Sequence, residues 1–312
     1  MTLWITGMAG FVGQAVARSA VSEGGAFCGV GLIAGAAPPS IIADRLLAAR
    51  IDPPSLESLA KRFGAPSIVI HAAGSGSVGA SLADPALDFE ANVQSTQILC
   101  EYLRLHHPKA KLVLVSSAAV YGAEQPNAIA ETAAPHPVSP YGFNKLAAEL
   151  VVRSYGRNFG LHGAIVRLFS VYGEGLRKQV LWDLCGRLRH APATELWGTG
   201  EEQRDFIHVD DAARLLLLAG ALASASVPVV NGGTGEATTM AALAAYVTGA
   251  WQRHTGEKRS IGFNGQVRTG DPVSQVANVE RAVQAGFSPH MRVDKGIDRY
   301  IEWFVHSEPK KA

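Results

Sequence analysis

Three cysteines, Cys28, Cys100 and Cys185, are all that this 312-residue chain offers for thiol chemistry. They are odd in number, far apart and without metal-ligand spacing. That argues against a disulfide framework or a metal site and for buried thiols in a reducing cytosol. Excess charge is missing too: 28 Lys and Arg stand against 27 Asp and Glu, a formal net charge of +1. With no basic cluster interleaved with aromatics, nucleic acid is not an expected partner. The chain is 47% hydrophobic, yet no uninterrupted apolar run reaches membrane-spanning length, so no membrane association is expected. Met1 leads almost directly into an apolar stretch, which leaves no room for a signal peptide and makes a cytoplasmic location the expectation. Repeats and low-complexity tracts are also lacking. The length allows one large α/β domain or two unequal lobes.

What is present begins at the N-terminus. Leu3-Trp4-Ile5 reads as a buried strand, Thr6-Gly7-Met8-Ala9-Gly10-Phe11-Val12-Gly13 as a glycine turn, and 14–21 as a helix. In that context each glycine has a task. Gly7 permits the tight turn, Gly10 lets backbone approach a pyrophosphate, and Gly13 lets the helix pack close to the strand. Phe11 and Val12 fall where the helix starts, and its free N–H groups would face the phosphates. Further strands are expected at 27–33, 50–52, 67–70, 112–116 and 164–169. Helices are expected at 56–63, 85–106, 142–158, 209–222 and 297–304.

Proton-transfer chemistry is concentrated in two stretches, Val115–Gly122 and Ser139–Lys145. Tyr141 and Lys145 are four residues apart, so on a helix they share a face. An ammonium beside a phenol favours the phenolate, lowering the tyrosine pKa from its reference of about 10. Ser117, at the carboxyl end of a strand, could hydrogen-bond the same substrate oxygen. Such a trio moves a proton on or off a sugar or alcohol oxygen. A bare Y-x-x-x-K is weak evidence. Its position after a glycine turn and a strand-end serine is what makes it informative.

That combination resembles the extended short-chain dehydrogenase/reductase family, in its nucleotide-sugar epimerase and reductase branch, with features like those of UDP-galactose 4-epimerase. The resemblance runs from Ile5 to Phe304. It implies a Rossmann-type doubly wound parallel sheet with a smaller C-terminal substrate lobe. Residues 1–175 would mainly bind NAD or NADP, and 176–312 would mainly bind substrate, with segments near 205–235 returning to the first domain. Beyond Gly7, Gly10, Phe11, Val12 and Gly13, it assigns the cofactor to Asp52, Ala72, Ala73, Gly74, Asn92, Ser116, Tyr141 and Lys145. His71 is read as structural. The segment V-G-x-S-x-x-x-P (Val78 to Pro85) would border nicotinamide and sugar, and Asn92-Val93-Gln94-Ser95-Thr96 would lie behind the site. Ser77, Ser117, Ser170, Arg204, Arg268 and Asp271 are the implied substrate contacts, the two arginines suiting a diphosphate.

Departures from the family pattern matter as much. No acid ends the second strand at Val30-Gly31-Leu32-Ile33, and no arginine replaces it, so NAD and NADP both stay open. Gly76 stands where epimerases often have a lysine, and Ser170 replaces an asparagine. Ala118-Ala119 follow Ser117 where sugar-nucleotide 4,6-dehydratases carry Asp-Glu, which argues against dehydration. The resemblance therefore implies a nucleotide-diphosphate-sugar 4-epimerase working through a 4-keto sugar, in polysaccharide synthesis. An NADPH-dependent reductase of a 4-keto-6-deoxy sugar nucleotide is the second reading. A non-catalytic NAD(P)-sensing protein is the third. No metal is expected, and a homodimer is, by analogy of fold.

Overall fold

A computed structural model describes residues 2–33, 39–123, 128–266 and 272–307. Its centre is a sheet of seven parallel strands: β1 (Thr2–Thr6), β2 (Ala26–Val30), β3 (Leu46–Leu47), β4 (Pro66–His71), β5 (Lys111–Ser117), β6 (Gly163–Leu168) and a last strand, Val229–Gly232. Across the sheet the order is Val229–Gly232, β6, β5, β4, β1, β2, β3. The chain thus changes direction between β1 and β4, and the crevice at their carboxyl ends is where such sheets bind ligands.

Strand alternation fills both faces. Trp4 and Ile5 are neighbours on β1 and point to opposite sides. Ile5 joins Val16 and Ala20 of helix α1 (Phe11–Ser22) and Leu215, Leu216 and Ala219 of the helix Val209–Leu222. Trp4 joins Leu56 and Leu59 of α3 (Pro53–Phe63), which follows the short α2 (Ser40–Ala43), and Leu99, Leu103, Ala148 and Val152 from two further helices. Those are α6 (Ser95–His106) and α7 (Pro140–Phe159). All three cysteines are buried and free. A third apolar cluster gathers Leu181 and Cys185 of the helix Gln179–His190, Trp251 of Met240–Thr255, and Tyr300 and Phe304 of Val293–Ser307 around Tyr172. No helix among the described residues is long and apolar enough to cross a membrane.

Three elements differ from expectation. The second strand stops at Val30, three residues short of Ile33. The third strand is not 50–52 but Leu46–Leu47, hydrogen-bonded to β2 through the pairs Gly29–Leu46 and Val30–Leu47. Asp52 is instead the N-cap of α3: its carboxylate accepts from Ser55 N at 2.8 Å, and Pro53 opens the first turn. An extended residue before proline reads like a strand in sequence. The long helix 85–106 is continuous but not regular. It runs as α5 (Pro85–Phe89), after the short α4 (Val78–Ala83), then a π-turn Glu90–Gln94, then α6. A π-turn inserts one residue per turn and is frequent at functional sites.

Candidate active site

The nucleotide end is built from glycine. Gly7 has φ +69°, and a Cβ there would stand 2.6 Å from Ala73 N, so the turn lies directly against Ala72 and Ala73. A Cβ on Gly13 would stand 2.2 Å from Gly7 O. Gly10 caps α1 with extended backbone, no side-chain cap and no acid in the first turn. The amide groups at Phe11 and Val12 are thereby left for a ligand. Asp52, assigned to the cofactor by resemblance, has its carboxylate engaged in capping α3.

Behind the turn a chain of hydrogen bonds fixes the end of β4. Thr6 Oγ1 lies 2.6 Å from His71 Nδ1, and His71 Nε2 lies 3.0 Å from Thr96 Oγ1. Thr96 Oγ1 donates to Asn92 O at 2.6 Å, so it must accept from His71 Nε2–H; Nδ1 then accepts from Thr6. Burial, with Lys145 nearby, pushes the His71 pKa down to about 3. This histidine is a neutral structural link, as the sequence suggested.

Asn92 sits in the π-turn, buried. Its Nδ2 donates to Asp88 O at 3.0 Å and Ser75 Oγ at 3.2 Å, while its Oδ1 is buried without a partner. A Cβ on Gly74, which has φ +139°, would stand 2.4 Å from that Oδ1 and 3.3 Å from Lys145 Nζ. Gly74, Asn92 and Lys145 therefore converge on one small space.

Ser117 ends β5, and its hydroxyl accepts from Ala119 N at 3.2 Å, capping a 3-10 turn over Ala118–Tyr121. Helix α7 begins beside it. Ser139 caps the helix through Gly142 N at 3.2 Å, and Pro140 opens it. A Cβ on Gly142 would meet Ala119 O at 2.7 Å, so only glycine lets the helix lie this close to the Ser117 turn. Ser81, the serine of V-G-x-S, accepts from Tyr141 N at 3.1 Å and ties its loop to the same helix start.

The electrostatics of the pair correct the sequence-based picture. Burial raises the Tyr141 phenol above its ordinary value; a hydrogen bond with Ser117 lowers it, and Asp88 raises it. The Lys145 ammonium, 5.9 Å from the ring centroid and donating to Val115 O at 3.1 Å, does not outweigh that burial. Burial brings Lys145 itself down to about 8, against the opposing pull of Asp88 and Glu149. Ser116, expected at the cofactor, turns its hydroxyl to the other face of the strand and donates to Glu149 Oε1 at 2.6 Å.

On the substrate side, Ser77 caps α4 through Ala80 N at 3.2 Å. Ser170 lies in the strand Ser170–Tyr172, paired with Phe206–His208. Arg204 Nη1 donates to Gln203 O at 2.8 Å and Pro272 O at 2.7 Å. Its strand pairs with Ser274–Gln275, and Gln275 Nε2 reaches Ala118 O at 3.4 Å, joining this segment to the Ser117 turn. Arg268 and Asp271 lie outside the described residues. No cluster of metal-ligating side chains occurs among the described residues.

Sequence reasoning missed four residues near this site. Asp88 is buried and accepts from Ser75 Oγ and, at 2.7 Å, from Asn144 Nδ2. Lys178 donates to Gly76 O at 3.2 Å. Buried Asp205 accepts from Thr234 N at 2.7 Å and Gly235 N at 2.9 Å, closing the loop after Val229–Gly232. Glu149, one turn beyond Lys145, pairs with Arg167 at 2.6 Å. Glu149 carried a local signal in its spacing of four from Lys145, and Asp205 in its place directly after Arg204.

The chain matches the NAD dependent epimerase/dehydratase family over residues 3–231, and it belongs to that family. It is 28% identical over 249 residues to a protein of Methanocaldococcus jannaschii described as a putative UDP-glucose 4-epimerase, covering 77% of each chain. It is 31% identical to a dTDP-glucose 4,6-dehydratase of Mycolicibacterium smegmatis, covering 68% of this chain and 66% of that one. Among solved structures, MoeE5 in complex with UDP-glucuronic acid and NAD superimposes with a TM-score of 0.83 at 29% identity. That match covers 98% of this chain and 100% of MoeE5.

Proposed function

We propose that the protein is a nucleotide-diphosphate-sugar 4-epimerase that uses NAD and works through a transient 4-keto sugar. One observation carries the reading. The strand-end hydroxyl of Ser117 and the phenol of Tyr141 meet at the carboxyl edge of the sheet, and the two residues directly after Ser117 are Ala118 and Ala119. An alcohol oxygen can be deprotonated and reprotonated there, whereas positions 118 and 119 carry no acid for the carbon proton transfers of a dehydration.

The nucleotide end fits a dinucleotide. The uncapped start of α1 and the Gly7–Gly13 contact leave room and N–H groups for a pyrophosphate, and Asn92 Oδ1, with the protons Lys145 Nζ keeps beyond the one given to Val115 O, would meet a ribose or amide beyond Gly74. Bound there, NAD supplies a hydride acceptor and donor at the sugar carbon. Tyr141 takes the C4 hydroxyl proton as the carbinol is oxidised to a ketone and returns it when the ketone is reduced. Ser117 holds the C4 oxygen throughout. Lys145 contributes positive charge on the cofactor side. Arg204, with Arg268, would hold the diphosphate while the flat keto sugar turns its other face.

The nucleotide released on denaturing the purified protein tests this. Retained NAD, together with interconversion of a UDP-hexose and its C4 epimer without net change in NADH absorbance, is the expected result. Stoichiometric consumption of NADPH on a 4-keto-6-deoxy sugar nucleotide, with no epimerisation, would overturn it in favour of a reductase.

A further inference from the structure

We propose that Asp88 is a positioning residue for the proton-handling pair: its carboxylate joins three chain segments behind Tyr141 and Lys145 and supplies the negative charge that keeps the Lys145 ammonium charged. The inference rests on the reading of Tyr141 and Lys145 given above.

The geometry is a buried knot. Asp88, 3% exposed, leaves α5 just before the π-turn. One carboxylate oxygen receives Ser75 from the loop after β4; the other receives Asn144 from α7 at 2.7 Å. Asp88 O receives Asn92 of the π-turn at 3.0 Å. Asn144 immediately precedes Lys145, and Ser75 immediately follows Gly74, whose missing Cβ would face Lys145 Nζ at 3.3 Å. The carboxylate thereby sets the distance between the loop and the catalytic helix.

Its charge is not spent locally. A buried carboxylate is costly unless a cation compensates it. The partners of Asp88 are a hydroxyl and amides, and no ion pair to it occurs among the described residues. Glu149, the other acid near Lys145, is consumed by Arg167, at 2.8 and 2.6 Å. Of the remaining charged groups around the knot, His71 on β4 is neutral, Glu90 of the π-turn pairs with Arg50, and α4 carries none, with Asp84 capping α5. Lys178 lies on the far side and opposes the protonation of Lys145. Asp88 is therefore the larger of the two acid fields at Lys145, ahead of Glu149. It favours the charged lysine and disfavours the phenolate, raising both pKa values.

Asp88→Asn tests this because an amide retains the shape, and Asn144 can turn its own amide to meet it. Two readouts are taken: the Lys145 titration by NMR of ε-13C-lysine protein, with the signal identified from Lys145→Met, and the pH profile of kcat/KM. Removing the carboxylate should lower the Lys145 midpoint by about one pH unit and move both the climb and the levelling of the rate profile to lower pH. Asp88→Ser, a second uncharged variant, should do the same. Asn144→Ala loosens the knot but leaves the charge, so it should not lower the midpoint. A Lys145 midpoint unmoved in a folded uncharged variant would overturn the proposal. So would a fall in Asn144→Ala matching that in Asp88→Asn. The titration needs no turnover, so a failure of the epimerase reading, shown by full activity of Tyr141→Phe, is distinguishable from a failure of this one.

Discussion

Arg167 on β6 presents two guanidinium nitrogens to Glu149 of α7, Nε at 2.8 Å and Nη2 at 2.6 Å, and Ser116 of β5 adds its hydroxyl to the same carboxylate at 2.6 Å. The arginine side chain is 2% exposed and the glutamate 0%. Helix α7 is thereby bolted to the two strands behind it, one turn beyond Lys145. Breaking such a pair leaves a buried charge without its partner. Glu149→Gln should therefore cost about 3–5 kcal/mol in urea unfolding, whereas breaking a surface pair such as Lys61–Glu57 should leave the unfolding midpoint nearly unchanged.

Tyr141→Phe removes the phenol hydrogen-bonded to Ser117 while keeping the ring. The expected loss in kcat is about 10²- to 10⁴-fold, with retained nucleotide unchanged. The pH profile carries a further expectation. Burial lowers Lys145 to about 8 in the protein without ligand. Its ammonium is present below that value and lost above it, while Tyr141, raised above its ordinary value, still gains base form there, so the climb of kcat/KM with pH should level off near that value. Tyr141 is raised and works as a base only when deprotonated, so activity should climb with pH on the acid side.

Gly13 has no room for a side chain. A Cβ 2.2 Å from Gly7 O would drive α1 away from the turn. Gly13→Ala should destabilise the fold by about 1–3 kcal/mol and lower the nucleotide released on denaturation. A variant with full nucleotide content would show that the close packing of helix on turn is dispensable.

Exposed apolar residues sit on the outer face of α7: Phe143 and Leu150, each 58% exposed, lie two turns apart, and Leu87 of the adjoining α5 is 53% exposed. Single exposed hydrophobics are ordinary, but a stripe on packed helices fits a partner helix pair. The homodimer read from the family resemblance would use this face. Phe143→Asp together with Leu150→Glu should turn a dimer into a monomer in sedimentation velocity, with the fold intact by circular dichroism.

The legible parts of this molecule were those written locally. Strand, glycine turn and helix at 3–21, the Ser117 strand end, and the helix Val209–Leu222 each carry their pattern within about a dozen residues, and each lies where the sequence suggested. Asp88 carried no such pattern. An aspartate on a helix beside exposed Leu87 and Phe89 reads as solvated, and its burial depends on Ser75 and on Asn144, 56 positions away. The fall of the Lys145 pKa and the rise of that of Tyr141 were equally hidden, because burial at a tertiary junction outweighs the neighbour four residues along. The strand expected at 50–52 failed for the opposite reason: the local pattern ending in Asp52 was real, but it encoded the cap of α3.

Lys178 completes the account of the sugar end. Gly76 lacks the side chain often found there in epimerases, and the space its Cβ would enter is 3.0 Å from Lys178 Nζ. The ammonium has no carboxylate within ion-pair distance among the described residues and donates only to Gly76 O. A cation brought from a distant segment thus stands beside the loop that follows Gly74. If it meets a diphosphate, Lys178→Met should weaken binding about tenfold, roughly 1.4 kcal/mol, and flatten the salt dependence, while Lys178→Arg should keep most of it. Titrating NAD alone and then the nucleotide sugar against the NAD-loaded protein separates the two diphosphates. A loss confined to the first assigns the lysine to the cofactor, and a loss confined to the second assigns it to the substrate. Unchanged affinity in both would leave Lys178 a tether of the Gly76 loop and nothing more.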